Sequence, residues 1–85
     1  MKVKMYSTPN CPFCENALTL LYARNILDIE TIVLSKDTPG DILEFKKECP
    51  NATTVPQIFI NGEYIGGYEE LLDWLPEASN IDEIL

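Results

Sequence analysis

The sequence predicts an α/β fold, a three-layer α/β/α sandwich on a four-stranded mixed sheet, with elements in the order β-α-β-α-β-β-α. Strand-like and helical periods alternate through the first half of the chain, which implies parallel crossovers. An Asn61-Gly62 pair between two strand-like runs then signals a hairpin and adds antiparallel pairing. With 85 residues the chain is long enough for one core and too short for two, so residues 1–85 are expected to form a single domain.

Each element has a local reason. Lys2-Val3-Lys4-Met5-Tyr6 alternates charged and apolar residues, the period of a strand covered on one face. From Pro12 the apolar residues Phe13, Ala17, Leu18, Leu20, Leu21 and Ala23 recur at near-helical spacing, and Pro12 suits a first helical turn because its missing N–H would go unpaired there. That helix is expected to end near Arg24-Asn25. Ile29 to Leu34 is rich in β-branched residues and reads as a strand. Lys36 to Gly40 reads as a turn, and Asp41 to Cys49 as a short helix whose buried face carries positions 42, 45 and 49. Gln57-Ile58-Phe59-Ile60 and Glu63-Tyr64-Ile65-Gly66 flank the Asn-Gly turn as the two hairpin strands. Glu69 to Leu75 forms the last main helix, with Pro76 near its end, and Asn80 to Leu85 a final short turn of helix.

Composition excludes several functions. Six basic residues against fourteen acidic ones give a net charge of −8, which opposes nucleic acid and anionic lipid as partners. No apolar run reaches the roughly 20 residues of a bilayer span, and the N-terminus lacks a signal-peptide pattern, so a cytoplasmic location is expected. The absence of histidine removes Cys-His and Ser-His catalysis together with most zinc sites.

Chemistry concentrates in Cys11-Pro12-Phe13-Cys14. Spacing i, i+3 at a helix start brings both sulfurs to one side of the first turn, near enough to join or to share a metal. Zinc wants four ligands, and Cys49 is the one further cysteine. A purely structural disulfide closing so short a loop restrains little chain entropy. Thiol–disulfide exchange remains. Cys11, just before the helix, lies where unpaired N–H groups favour a thiolate and is read as the nucleophile. Cys14, one turn deeper, is read as the resolving cysteine. Cys49, on the apolar face of the second helix, is read as a small core residue.

A second constellation follows. Pro56 precedes a strand, where its missing donor is tolerated. A cis Val55-Pro56 bond would turn the Val55 backbone outward to pair with an extended peptide-like substrate, while an ordinary trans proline at a loop end is the commoner case for such a fragment. Gly66-Gly67 opens the last helix and is either a plain turn, with Glu69 and Glu70 as acidic residues of a first helical turn, or a close backbone approach where an anionic ligand docks beside Tyr68 and Glu69.

These pieces, Cys11-Pro12-Phe13-Cys14, Thr54-Val55-Pro56-Gln57-Ile58-Phe59-Ile60 and Ile65-Gly66-Gly67-Tyr68-Glu69-Glu70-Leu71, stand in the order and spacing of dithiol glutaredoxins, and the resemblance covers essentially the whole chain. It implies a thioredoxin fold with Pro56 in cis, and reduction of protein disulfides or glutathione mixed disulfides at glutathione's expense. It further implies that Thr54 and Val55 hold glutathione's cysteinyl backbone beside Pro56, that Gly67, Tyr68 and Glu69 hold its γ-glutamyl end, and that Phe13 is the family's aromatic position.

Two positions depart from the pattern. Thr8 stands where the family commonly has a lysine that helps hold glutathione's glycine carboxylate and the thiolate. Glu69 stands where it usually has aspartate. The expected partners are glutathione and disulfide-containing or glutathionylated proteins, ribonucleotide reductase among them, with a monomeric protein, glutathione as co-substrate, no resident cofactor and no bound metal. Two alternatives accompany this reading. One is a glutaredoxin-like hydrogen donor to ribonucleotide reductase, itself reduced by thioredoxin reductase, which Thr8 keeps in play. The other is a module binding a metal or an iron–sulfur cluster, against which Pro12 counts because the family's cluster binders tend to carry a less rigid residue there.

Overall fold

A computed structural model describes residues 1–75. It contains β1 (Val3–Ser7), α1 (Pro12–Ala23), β2 (Ile29–Val33), α2 (Pro39–Glu48), β3 (Gln57–Ile60), β4 (Glu63–Gly66) and α3 (Tyr68–Trp74), which is the expected element order. The expected Pro76 stop and the short helical turn from Asn80 lie outside the described residues. The strands form one sheet in the order β2-β1-β3-β4, with β1 parallel to β2 and antiparallel to β3, and β3 antiparallel to β4.

Strand alternation divides the interior into two cores. Val3 and Met5 of β1 and Ile58 and Ile60 of β3 face α1 and α3, packing with Cys14, Ala17, Leu21, Leu71 and Leu75. Tyr6 and Phe59 face the opposite way and pack with Leu34 and Cys49, with Ile42 and Phe45 of α2 laid against them. Both central strands are therefore covered on two sides, and all four residues of β3 are buried.

Several boundaries differ from expectation by one or two residues. The second helix starts at Pro39, two residues earlier than read, because Pro39 and Gly40 form its first turn rather than the preceding loop. The first strand extends to Ser7, whose carbonyl accepts the Leu34 N–H at 2.8 Å. The hairpin lies where the sequence placed it. Asn61 and Gly62 have φ of 52° and 85°, and positive values at both central positions are what a tight right-twisted hairpin turn requires. A bulge between Ile58 and Phe59 shifts the register further along.

On the α2 side, Glu48 ties the helix to the sheet. Its Oε1 accepts the Lys4 amine at 2.7 Å and also the Tyr6 hydroxyl, while the amine lies 4.7 Å from the centre of the Phe59 ring. The Lys4 bond first, and the Tyr6 bond second, hold the Glu48 carboxyl below the usual carboxylate range. Burial, reinforced by that carboxylate, pushes the Tyr6 hydroxyl up. A depressed carboxyl contributes stability that is present above its unfolded value, about 4.3, and is lost as pH falls through the folded value. Urea midpoints of wild type and Glu48→Gln, measured from pH 7 down to pH 2, are accordingly expected to converge below about pH 4. Parallel curves would show that this clamp contributes nothing that titrates.

Candidate active site

Cys11 is held between a central strand and a helix. β1 ends at Ser7, Asn10 turns the chain with φ of 58°, and Cys11 caps α1 from an extended conformation, with Pro12 at the first helical position. Its sulfur accepts the Cys14 backbone N–H at 3.2 Å, the geometry of an N-cap in which sulfur replaces the usual oxygen. Cys11 and Cys14 form a disulfide, with Cα atoms 5.2 Å apart. The two are unequal. Cys14 is 3% exposed among Ala17 and Leu21, whereas Cys11 is only half-buried. When the bond is reduced, the amide that caps α1 is aimed at the Cys11 sulfur, and a donor to the charged form lowers a thiol pKa. The charged residue of the first helical turn is Glu15, so no helical cation assists there.

Beside this pair opens a groove of about 880 Å³. The disulfide cysteines do not themselves line it. Its wall runs up to them through Phe13, Thr54 and Pro56. The Val55–Pro56 bond is cis, and the Val55 carbonyl oxygen lies 3.9 Å from the Cys11 sulfur. Phe13, 59% exposed, stands with its ring 5.8 Å from that of Tyr68 across the mouth. The far wall comes from Gly66, Gly67, Tyr68, Glu69 and Glu70.

Side chains hold the two walls in place. The Tyr64 hydroxyl donates to Gln57 Oε1 at 2.5 Å, and Gln57 Nε2 donates to the Thr54 carbonyl at 2.9 Å, pinning the loop before Pro56 to the hairpin. Glu70 reaches back to accept the Gly67 N–H at 2.7 Å, the half of a capping box that a glycine cap permits. This leaves no room at Gly66. A Cβ there would sit 2.7 Å from the Glu70 Cγ, and φ is 117°, where L-residues are strained. Gly66→Ala is expected to lower stability by about 1–3 kcal/mol and to expel Glu70 from its cap, read as a lower urea midpoint. An unchanged midpoint would count against this packing.

The glutaredoxin family pattern matches residues 3–65, most of the chain, including the cysteine pair, the cis proline and the hairpin up to Ile65. The chain belongs to the glutaredoxin family. It is 33% identical to glutaredoxin 1 of Rickettsia prowazekii over 95% of this chain and 83% of that protein. The dithiolic glutaredoxin of Trypanosoma brucei brucei is 37% identical, covers 96% of this chain and 84% of its own, and superposes with a TM-score of 0.70. A buckwheat glutaredoxin–glutathione complex, 22% identical, shares the fold with a TM-score of 0.74 over 94% of this chain and 73% of its own. The protein is thus a thiol–disulfide oxidoreductase of the glutaredoxin family with the thioredoxin fold.

Of the residues singled out from the sequence by their likeness to glutaredoxins, Phe13, Thr54, Pro56, Gly67, Tyr68 and Glu69 line the groove together. Val55 does not line it and instead faces the Cys11 sulfur. Sequence reasoning missed Gln57 and Tyr64, because their bond depends on the pairing of β3 with β4. It also missed Glu70, although the Gly-Tyr-Glu-Glu spacing from 67 to 70 carries the capping signal. Cys49 is 2% exposed, and burial first, then Glu48, pushes its thiol up. It is a core residue at the groove's floor, poorly suited to be a nucleophile. Lys46 and Lys47 are not among the residues that line the groove. Among the described residues no helix is long and apolar enough to cross a membrane.

Proposed function

We propose that this protein is a glutathione-dependent dithiol glutaredoxin of the cytoplasm, a single domain acting on protein disulfides and glutathione mixed disulfides. The observation that carries the reading is the inequality of the pair. Cys11 is accessible and receives a backbone N–H at 3.2 Å, while Cys14 is sealed behind it. Cys11 attacks the substrate disulfide as a thiolate, the leaving thiolate takes a proton from solvent, and Cys14 then displaces the reduced product from Cys11. Glutathione lies in the groove with its cysteinyl backbone at Thr54 and Val55 and its γ-glutamyl end at Gly67, Tyr68 and Glu69, flanked by Phe13 and Pro56. The size of the groove and the solved glutathione complex of the buckwheat relative support this pose.

A second reading concerns the electron source. Thr8 and a groove wall without lysine or arginine favour reduction by thioredoxin reductase and a role as donor to an enzyme such as ribonucleotide reductase. Recycling assays decide between them. With NADPH present, glutathione plus glutathione reductase is expected to sustain turnover of a glutathionylated peptide. Turnover with thioredoxin reductase alone, and none with glutathione, would replace the first reading by the second.

A further inference from the structure

The groove beside Cys11 is lined by Glu48, Glu69 and Glu70 and by no lysine or arginine. Glu48 is already neutralised by Lys4 at 2.7 Å. Glu70 accepts the Gly67 N–H, and Glu69, the next residue along the wall, is exposed. Two carboxylates thus face a space in which no side-chain cation balances them. Independently of charge, the mouth presents the paired rings of Phe13 and Tyr68, and aromatic faces attract cations. The chain's net charge of −8 adds a long-range field of the same sign.

From this geometry we infer that the groove selects disulfides by charge, taking those that carry an ammonium or guanidinium group close to the sulfur in preference to those that carry a carboxylate there. The substrate class is a cationic disulfide: a small aminothiol disulfide, or a polypeptide disulfide flanked by Lys or Arg. The inference rests on the proposed role of the groove as the substrate site. The chemistry is ordinary exchange. The Cys11 thiolate attacks one sulfur of R–S–S–R, the S–S bond breaks, and the first RS⁻ leaves and is protonated by solvent. The Cys14 thiol gives its proton to solvent and attacks the Cys11 sulfur, releasing the second thiol. Two electrons pass from the protein dithiol to the substrate, and the protein ends as its Cys11–Cys14 disulfide. The cation resides in the substrate between Glu69 and the Phe13–Tyr68 rings and takes no part in the redox step.

The test is single-turnover oxidation of the fully reduced protein by cystamine, bearing two ammonium groups, and by 3,3′-dithiodipropionate, bearing two carboxylates, followed by acid quench and alkylation. The ratio of the two rate constants is measured in wild type, Glu69→Gln, Glu70→Gln and Glu30→Gln. Glu30 is an exposed residue of β2, the edge strand farthest from β4, and its substitution changes net charge equally. Dividing each variant's ratio by that of wild type cancels the intrinsic reactivity of the two reagents. The cystamine preference is expected to fall roughly fivefold in Glu69→Gln and in Glu70→Gln and to stay within about twofold in Glu30→Gln, the groove effects shrinking in 0.5 M salt. Equal ratios in all four proteins would overturn the inference while leaving the oxidoreductase reading intact. Equal losses in all three variants would assign the effect to net charge and overturn it as well. No oxidation by either reagent would bring down both.

Discussion

Cys11→Ser is expected to lower turnover of a glutathione mixed disulfide by a factor on the order of 10³ or more, because a serine hydroxyl stays protonated at neutral pH and supplies no anionic nucleophile. The amide that donates to the Cys11 sulfur at 3.2 Å has a thiolate to stabilise only when sulfur is present. Cys14→Ser is expected to behave differently. Its sulfur is buried, and on the proposed mechanism it acts only after Cys11, so the variant is expected to keep substantial activity on mixed disulfides, with a second glutathione resolving the intermediate. Toward protein disulfides it stalls at the covalent intermediate. A glutathione-coupled assay on a glutathionylated peptide and on a protein disulfide gives both readings. Cys11→Ser with wild-type activity, or Cys14→Ser failing on both substrates alike, would reverse the assigned roles.

Leu71→Ala is expected to cost about 2–5 kcal/mol, a large part of the 5–15 kcal/mol that holds a domain of this kind together. Leu71 is fully buried and is the only buried residue within α3, wedged with Leu75 against the core that Ala17 and Leu21 of α1 share with the sheet. Truncation leaves a cavity under the one fully buried side chain of α3. Because α3 carries Tyr68, Glu69 and Glu70, the groove wall loosens with it. Urea unfolding should show a lower midpoint at an unchanged slope, and Leu71→Met, which conserves volume, should lose less than about 1.5 kcal/mol. A shift below about 1 kcal/mol for the alanine variant would mean that α3 is secured elsewhere.

How much of this was legible depends on the distance over which each feature is decided. The hairpin was read to the residue because Asn61-Gly62 dictates its turn locally. The start of α2 was missed by two residues for a local reason of another kind. Pro39-Gly40 is turn punctuation in most contexts, and only packing shows that Pro39 begins the helix here. The cysteine pair was legible from spacing, whereas the groove around it was hinted at by Pro56 and Gly66-Gly67 and became specific only through its likeness to other glutaredoxins. Bonds between Glu48 and Lys4, or from Tyr64 through Gln57 to Thr54, join residues whose proximity is set by sheet register and helix crossing. No periodicity within a single segment encodes them. The closeness of Gly66 to Glu70 is intermediate, since the spacing suggests a cap but not the steric exclusion of a side chain.

The strand that leads to Cys11 sits inside the sheet, flanked by β2 on one side and β3 on the other, with a core on each face. The hairpin's outer strand β4, in contrast, belongs to the rim, and it feeds directly into Gly67 and Tyr68. Local opening begins at rims and reaches interior strands last. The Cys11 sulfur therefore hangs from an interior strand and the groove wall from a rim strand, so on the proposed mechanism the wall is expected to yield to differently shaped partners before the attacking atom loses aim.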